Sequence, residues 1–178
     1  MGAYSDLELK YARPIANAIL SDGDFRSWFL SETRLGEKVK LAIPVGEAQG
    51  RLRSPTIKNP YWFNYWCGKD SRCTCKIGTG IETDILLILA YGERKLGLHI
   101  EVKRPGEMLG NGQAESYPRR AACWADAETK PRTVLSHDDY LTVLVCGENL
   151  ASDPRLSHFD KVIYHSDVRP RLKIYPEL

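Results

Sequence analysis

Between Leu7 and Leu20, apolar residues recur at Leu7, Tyr11, Ile15, Ala18 and Ile19, the three-to-four spacing of a helix with one buried face. Pro14 falls inside that stretch. An interior proline costs about 3 kcal/mol, so a kink or a junction between two short helices is expected there. Ser21-Asp22-Gly23-Asp24 reads as a turn whose acids can cap the next segment, where Phe25, Trp28, Phe29 and Leu30 form a second helical stripe. From Thr33 to Cys75 the pattern weakens to a short strand within Val39 to Val45 and a stretch rich in Pro, Asn and Gly that carries Arg51, Arg53 and Lys58. Tyr61-Trp62-Phe63-Asn64-Tyr65-Trp66 then brings five aromatics into six residues. These read as a core cluster between a helical layer and a sheet, with stacking on bases or a sugar ring as the alternative.

The most regular stretch comes next. Thr83 to Tyr91 reads as a mostly buried strand, Gly92 to Gly97 as a turn, and Leu98 to Lys103 as the returning strand of a hairpin. Pro105 and Gly106 end it, Gly110-Asn111-Gly112 makes a bend, and Gln113 to Ala127 reads as a helix interrupted by Pro118. Tyr140 to Cys146 is a third strong strand, with weaker ones at Lys161 to Tyr164 and Leu172 to Tyr175. This mixture predicts an α/β fold in a single domain over residues 1–178. Its central mixed sheet would have four or five strands, with the N-terminal helices on one side and the Gln113 helix against the Glu101 strand.

Composition narrows the class only slightly. With 178 residues, 43% hydrophobic and 27% charged, the chain has globular usage, which weighs against disordered, collagen-like and coiled-coil readings. A net charge of +2 neither requires nor excludes a polyanionic partner. The N-terminus lacks the basic and apolar regions of a secretion signal, and the longest apolar run, Ile85 to Tyr91, falls far short of the roughly 20 residues that cross a bilayer. A cytoplasmic protein with no membrane partner is therefore expected. Five cysteines, an odd number, point to free thiols rather than a disulfide framework. Cys67, Cys73 and Cys75 lack the spacing of a zinc knuckle and a nearby fourth ligand, so they read as buried cysteines beside the aromatic cluster. Gly78-x-Gly80 and Gly110-x-Gly112 are too short for a phosphate loop.

The candidate chemistry lies on the hairpin. Residues two apart in a strand project to one face, so Glu101 and Lys103 stand together, with His99 behind them and Val102 turned into the core. A closing turn of even length pairs even positions of the first strand with odd positions of the second, which brings Asp84 to the same face near Lys103. A one-residue slip would turn Asp84 away. Two carboxylates with open water positions suit a hard divalent cation, Mg²⁺ or Mn²⁺. A lysine beside them can orient or deprotonate an attacking water and neutralise developing phosphate charge. The plainer alternative is an exposed Glu101 and Lys103 pair contributing roughly 0 to 1 kcal/mol.

Three ordered pieces stand around this pair: Thr83-Asp84-Ile85-Leu86-Leu87, Leu98-His99-Ile100-Glu101-Val102-Lys103-Arg104-Pro105-Gly106, and Gly112-Gln113-Ala114-Glu115-Ser116-Tyr117. Together they resemble the PD-(D/E)XK nuclease superfamily over about Gly80 to Trp124, and Gln113-x-x-x-Tyr117 is similar to a helix of its exonuclease and RecB-like branch. Thr83 stands where the superfamily name has proline. The resemblance implies a restriction-endonuclease-like core and a Mg²⁺-dependent deoxyribonuclease. Asp84 and Glu101 would then be metal ligands with the Val102 carbonyl as a third, Lys103 the catalytic lysine, and Gln113 and Tyr117 supports of the active site that also contact the nucleic-acid backbone. An acid on the first helix is also implied, with Glu8 best placed and Glu32 or Glu37 as alternatives. Glu82 shares the face of Asp84, and either acid could be the ligand. Gln113 and Tyr117 face one way only if Pro118 leaves the helix unbroken.

If the Gln113 helix packs beside the hairpin, Lys103, Arg104, Arg119, Arg120 and the Arg169-Pro170-Arg171-x-Lys173 tail would line one rim and bind DNA phosphates in a salt-dependent way. Solvated faces explain these charges as well. Nothing resembles a recognition helix or zinc finger, so base-specific readout is not expected. Two competing classes are a catalytically inactive nuclease scaffold that binds nucleic acid or protein, and a small-molecule enzyme built on the aromatic patch.

Overall fold

The structure is a computed structural model that describes residues 3–53, 56–67, 75 and 82–177, with side chains from Leu7 onward. Cys73 and the Gly78-x-Gly80 pair lie outside the described residues. Helix α1 (Ala3–Ser21) runs through Pro14 as one element, so of the two expectations, a kink or a junction of two short helices, the junction is not met. Its buried stripe of Ala12, Ile15, Ala16 and Ile19 outweighs one lost hydrogen bond. The Asp22 side chain accepts from the Asp24 and Phe25 backbone N–H groups at 2.9 and 3.0 Å and so caps α2 (Gly23–Leu30), which buries Phe25, Phe29 and Leu30. Short helices α3 (Gly36–Val39) and α4 (Gly46–Gly50) flank a two-residue strand β1 (Ile43–Pro44), the remnant of the strand expected over Val39 to Val45.

The remaining strands are β2 (Phe63–Trp66), β3 (Glu82–Tyr91), β4 (Arg94–Val102), β5 (Asp139–Cys146) and β6 (Lys161–Tyr164). They form one mixed sheet in the order β1-β3-β4-β5-β6, with β2 also paired to β3, which makes six strands rather than four or five. The hairpin of β3 and β4 is antiparallel, whereas β4, β5 and β6 run parallel. The connecting turn is tighter than expected: Tyr91 pairs with Arg94 across Gly92-Glu93, and Gly92 takes φ +55°. The length remains even, so even positions of β3 still meet odd positions of β4. Leu172 to Tyr175 forms no strand. The Tyr175 hydroxyl instead lies 2.6 Å from Nδ1 of His165, the first residue of the four-residue helix α6 (His165–Val168).

Both faces of the sheet are covered. Ile85, Leu87 and Leu89 pack with Leu98, Ile100, Val143 and Val145 under α1 and α2. Leu86 and Ile88 face Tyr65 and Trp124 on the other side, where α5 (Gln113–Ala125) lies. Of the aromatic run, Trp62, Phe63 and Tyr65 are core residues and Trp66 is exposed. Asn64, at φ +54°, rotates β2 so that Phe63 and Tyr65 reach opposite sides of the sheet. Helix α5 continues past Pro118. Among the described residues no helix is long and apolar enough to cross a membrane.

Candidate active site

The β3 and β4 ladder ends at the pair Ile85 and Ile100. One step further, the backbone N–H of Val102 donates at 2.8 Å to Asp84 Oδ2, a side-chain acceptor in place of a strand carbonyl. Asp84 is thereby fixed where the two strands part, and Val102 keeps its side chain in the apolar core. Glu101, 1% exposed, is held on every side. Its Oε1 accepts from Gln113 Nε2 at 2.5 Å and lies 2.9 Å from Lys103 Nζ, and its Oε2 accepts from the Tyr117 hydroxyl at 2.5 Å. The two α5 residues thus reach the same carboxylate, as an unbroken helix requires. The plain surface-pair reading does not hold, because Asp84, Glu101 and Lys103 are all buried.

The electrostatics show an excess of negative charge. Asp84 is raised well above the usual carboxylate range, first by burial and then by Glu101 and Glu8, with the Val102 N–H acting the other way. Glu82 is raised by burial and by Glu101, against the pull of Lys103 and Arg120. Glu8, on α1, is pushed up to about 7 by burial and then by Glu82, Glu101 and Glu107, with Lys103 opposing. Of the three helix acids considered, Glu8 is therefore the one that faces the site. Glu32 and Glu37 are exposed, and Glu32 acts on Lys161 instead. Burial works against the Lys103 charge, but Glu101, Glu107 and Asp84 outweigh it and hold the ammonium above its ordinary value.

Two participants escaped sequence reasoning. Glu107 Oε1 lies 3.6 Å from Lys103 Nζ, and its Oε2 accepts from the Arg104 side chain at 3.2 Å. Its four-residue spacing from Lys103 was a signal, hidden by the intervening Pro105-Gly106 turn. His165 Nε2 lies 2.7 Å from the Lys103 backbone carbonyl and holds that residue from behind. The contact spans 62 residues, so no local pattern marks it.

The basic residues do not share one rim. Arg120 is fully buried, a correction to its reading as a phosphate contact. Its Nε donates to Thr83 Oγ1 at 2.9 Å and its guanidinium lies 4.3 Å from the Tyr117 ring centroid, so it braces β3 against α5. Arg104 lines a cavity with Lys10, Tyr11 and Glu107, whereas Arg119 lines a different one with Cys75 and Cys123. Arg171 stacks over Trp28 at 4.2 Å, beside α2. As the side chains stand, no group of three or more His, Cys, Asp or Glu among the described residues is gathered closely enough to hold a metal ion.

No family model matches the chain, and comparison with curated proteins and with solved structures gives no match either.

Proposed function

We propose that the chain is a metal-dependent nuclease that hydrolyses phosphodiester bonds of DNA, built on a restriction-endonuclease-like core. The observation that carries this reading is the meeting of Asp84, Glu101 and Lys103 at the end of the hairpin, with Gln113 and Tyr117 both bonded to Glu101. The donor set fits a hard divalent ion: oxygen ligands only, with Asp84, Glu101 and Glu8 in electrostatic reach of one another, Glu82 and Glu107 acting on Glu8, and Lys103 against them. Asp84 and Glu101 would hold Mg²⁺ or Mn²⁺, with the Val102 carbonyl as a third ligand. A bound ion of this kind lowers the pKa of water and polarises a phosphoryl oxygen.

The chain's own residues supply the rest. Gln113 and Tyr117 hold the Glu101 carboxylate in one orientation, which removes a reorganisation cost from each turnover. Lys103 keeps its proton, so it serves as a hydrogen-bond donor to the attacking water and to the developing phosphorane charge, not as a base. Glu8, which titrates near neutrality, is the group able to take a proton at working pH. Arg104 and Lys10, on the cavity beside the site, are the residues for phosphate contacts.

The test is incubation of linear, nicked and single-stranded DNA with Mg²⁺ or Mn²⁺. Cleavage that disappears in Asp84→Asn, Glu101→Gln and Lys103→Ala is the expected result. No cleavage of any substrate with either ion, or full activity in Lys103→Ala, would overturn the proposal.

A further inference from the structure

Away from the acidic site, sulfur collects at one corner of the fold. The Sγ atoms of Cys67, directly after β2, and Cys75 lie 3.1 Å apart. That is about 1 Å longer than a bonded pair. Both are buried, at 7% and 2% exposure, in the cluster that holds Tyr65, Leu86 and Trp124. Cys75 also lines a cavity of about 520 Å³ with Arg119, Cys123, Asp126 and Thr129. Cys75 thus forms part of the wall of an open cavity and is not enclosed on every side by the core. An unrelated pair of core cysteines would have neither the close approach nor the opening.

We propose that Cys67 and Cys75 are a peroxide-sensitive thiol pair that closes to a disulfide. Cys75 gives up its proton and its thiolate attacks one oxygen of hydrogen peroxide; an S–O bond forms, the O–O bond breaks, and the released hydroxide takes that proton to become water. The Cys67 thiol then attacks the Cys75 sulfenic sulfur; the S–S bond forms, the S–O bond breaks, and the departing hydroxide takes the proton that Cys67 gives up and leaves as water. Two thiols are oxidised, one peroxide is reduced, and two waters leave when the reagent is hydrogen peroxide. A dithiol reductant reverses the bond by exchange. The bond would tie the end of β2 to the chain beside α5, the helix that carries Gln113 and Tyr117 to Glu101.

Full-length protein treated with a small excess of hydrogen peroxide tests this by intact mass and a non-reducing peptide map. The expected result is loss of two hydrogens, a single Cys67 to Cys75 cross-link and full reversal by dithiothreitol. In Cys67→Ser the Cys75 sulfenic acid should persist long enough to be trapped by dimedone. A cross-link to Cys73 or Cys123, separate oxidation of the two sulfurs to sulfinic acids, or stoichiometric tightly bound zinc that shields them would each overturn the proposal. The readout needs no DNA, so it stands or falls apart from the nuclease reading.

Discussion

Replacement of Glu8 by glutamine isolates the electrostatic strain of the acidic site. The glutamate is half-buried and faces Glu82, Glu101 and Glu107, which with burial raise it from an ordinary 4.5 to about 7. A folded pKa above the unfolded one means that folding favours the protonated form. The stability tied to Glu8 is therefore fully present below pH 4.5 and is lost as pH rises to about 7. At 1.36 kcal/mol per unit the upper bound is about 3.4 kcal/mol, and solvent screening of a half-buried group reduces it to about 1–2 kcal/mol. Glutamine keeps the shape and carries no charge, so Glu8→Gln should gain on the wild type across that window. For a chain of this size the gain corresponds to a rise in Tm of roughly 3–6 °C by pH 8. The assay is far-UV circular dichroism melting in EDTA at intervals from pH 4.5 to 8. The three buried histidines, His99, His137 and His165, titrate in both proteins and cancel in the difference. A difference in Tm that stays flat over the whole range would show that Glu8 ionises as a free side chain, and would remove it from the site.

Other substitutions probe neighbouring parts. Lys103→Met removes the ammonium between Glu101 and Glu107; about 3 kcal/mol of stability should be lost above neutral pH, and DNA cleavage should fall roughly 10²–10⁴-fold, measured by urea unfolding and gel assay. Tyr117→Phe deletes one donor to a buried carboxylate and should cost about 1.5–3 kcal/mol in the same unfolding experiment. Gly97→Ala would put a Cβ 2.5 Å from Nε2 of the buried His137 ring, so a loss of about 1–3 kcal/mol is expected from overpacking in β4. Burial depresses His99 and His137 below their ordinary 6.5. The stability that depends on their neutral rings is present above pH 6.5 and lost as pH falls; against His137→Gln, in which the acids titrate as in the wild type and cancel, a Tm difference that does not change on acidification would contradict it.

Local pattern carried a good deal of this molecule. The three-to-four stripe of α1, the continuous apolar run of β3 and the Gln113 and Tyr117 spacing on α5 are periodicities of the backbone itself, and each can be read before any fold is known. The even-to-odd pairing of the hairpin came from turn parity, which survived even though the turn is shorter than it looked. Proline was the main source of local error, because Pro14 and Pro118 weigh against helix in a peptide and are carried in a packed one.

Contacts distant along the chain could not be read in this way. Nothing near Arg120 distinguishes it from the exposed Arg119 beside it; the core built by Thr83, Tyr117 and Trp124 decides that one arginine is interior. Glu8 is one helix glutamate among several until α1 docks on the sheet and desolvates it beside three other acids. Cys67 and Cys75 looked like ordinary buried thiols until their sulfurs were brought into close approach. Periodicity records which face of an element is buried, but burial, charge coupling and thiol contact belong to pairs of elements, and a linear string does not state which elements will meet.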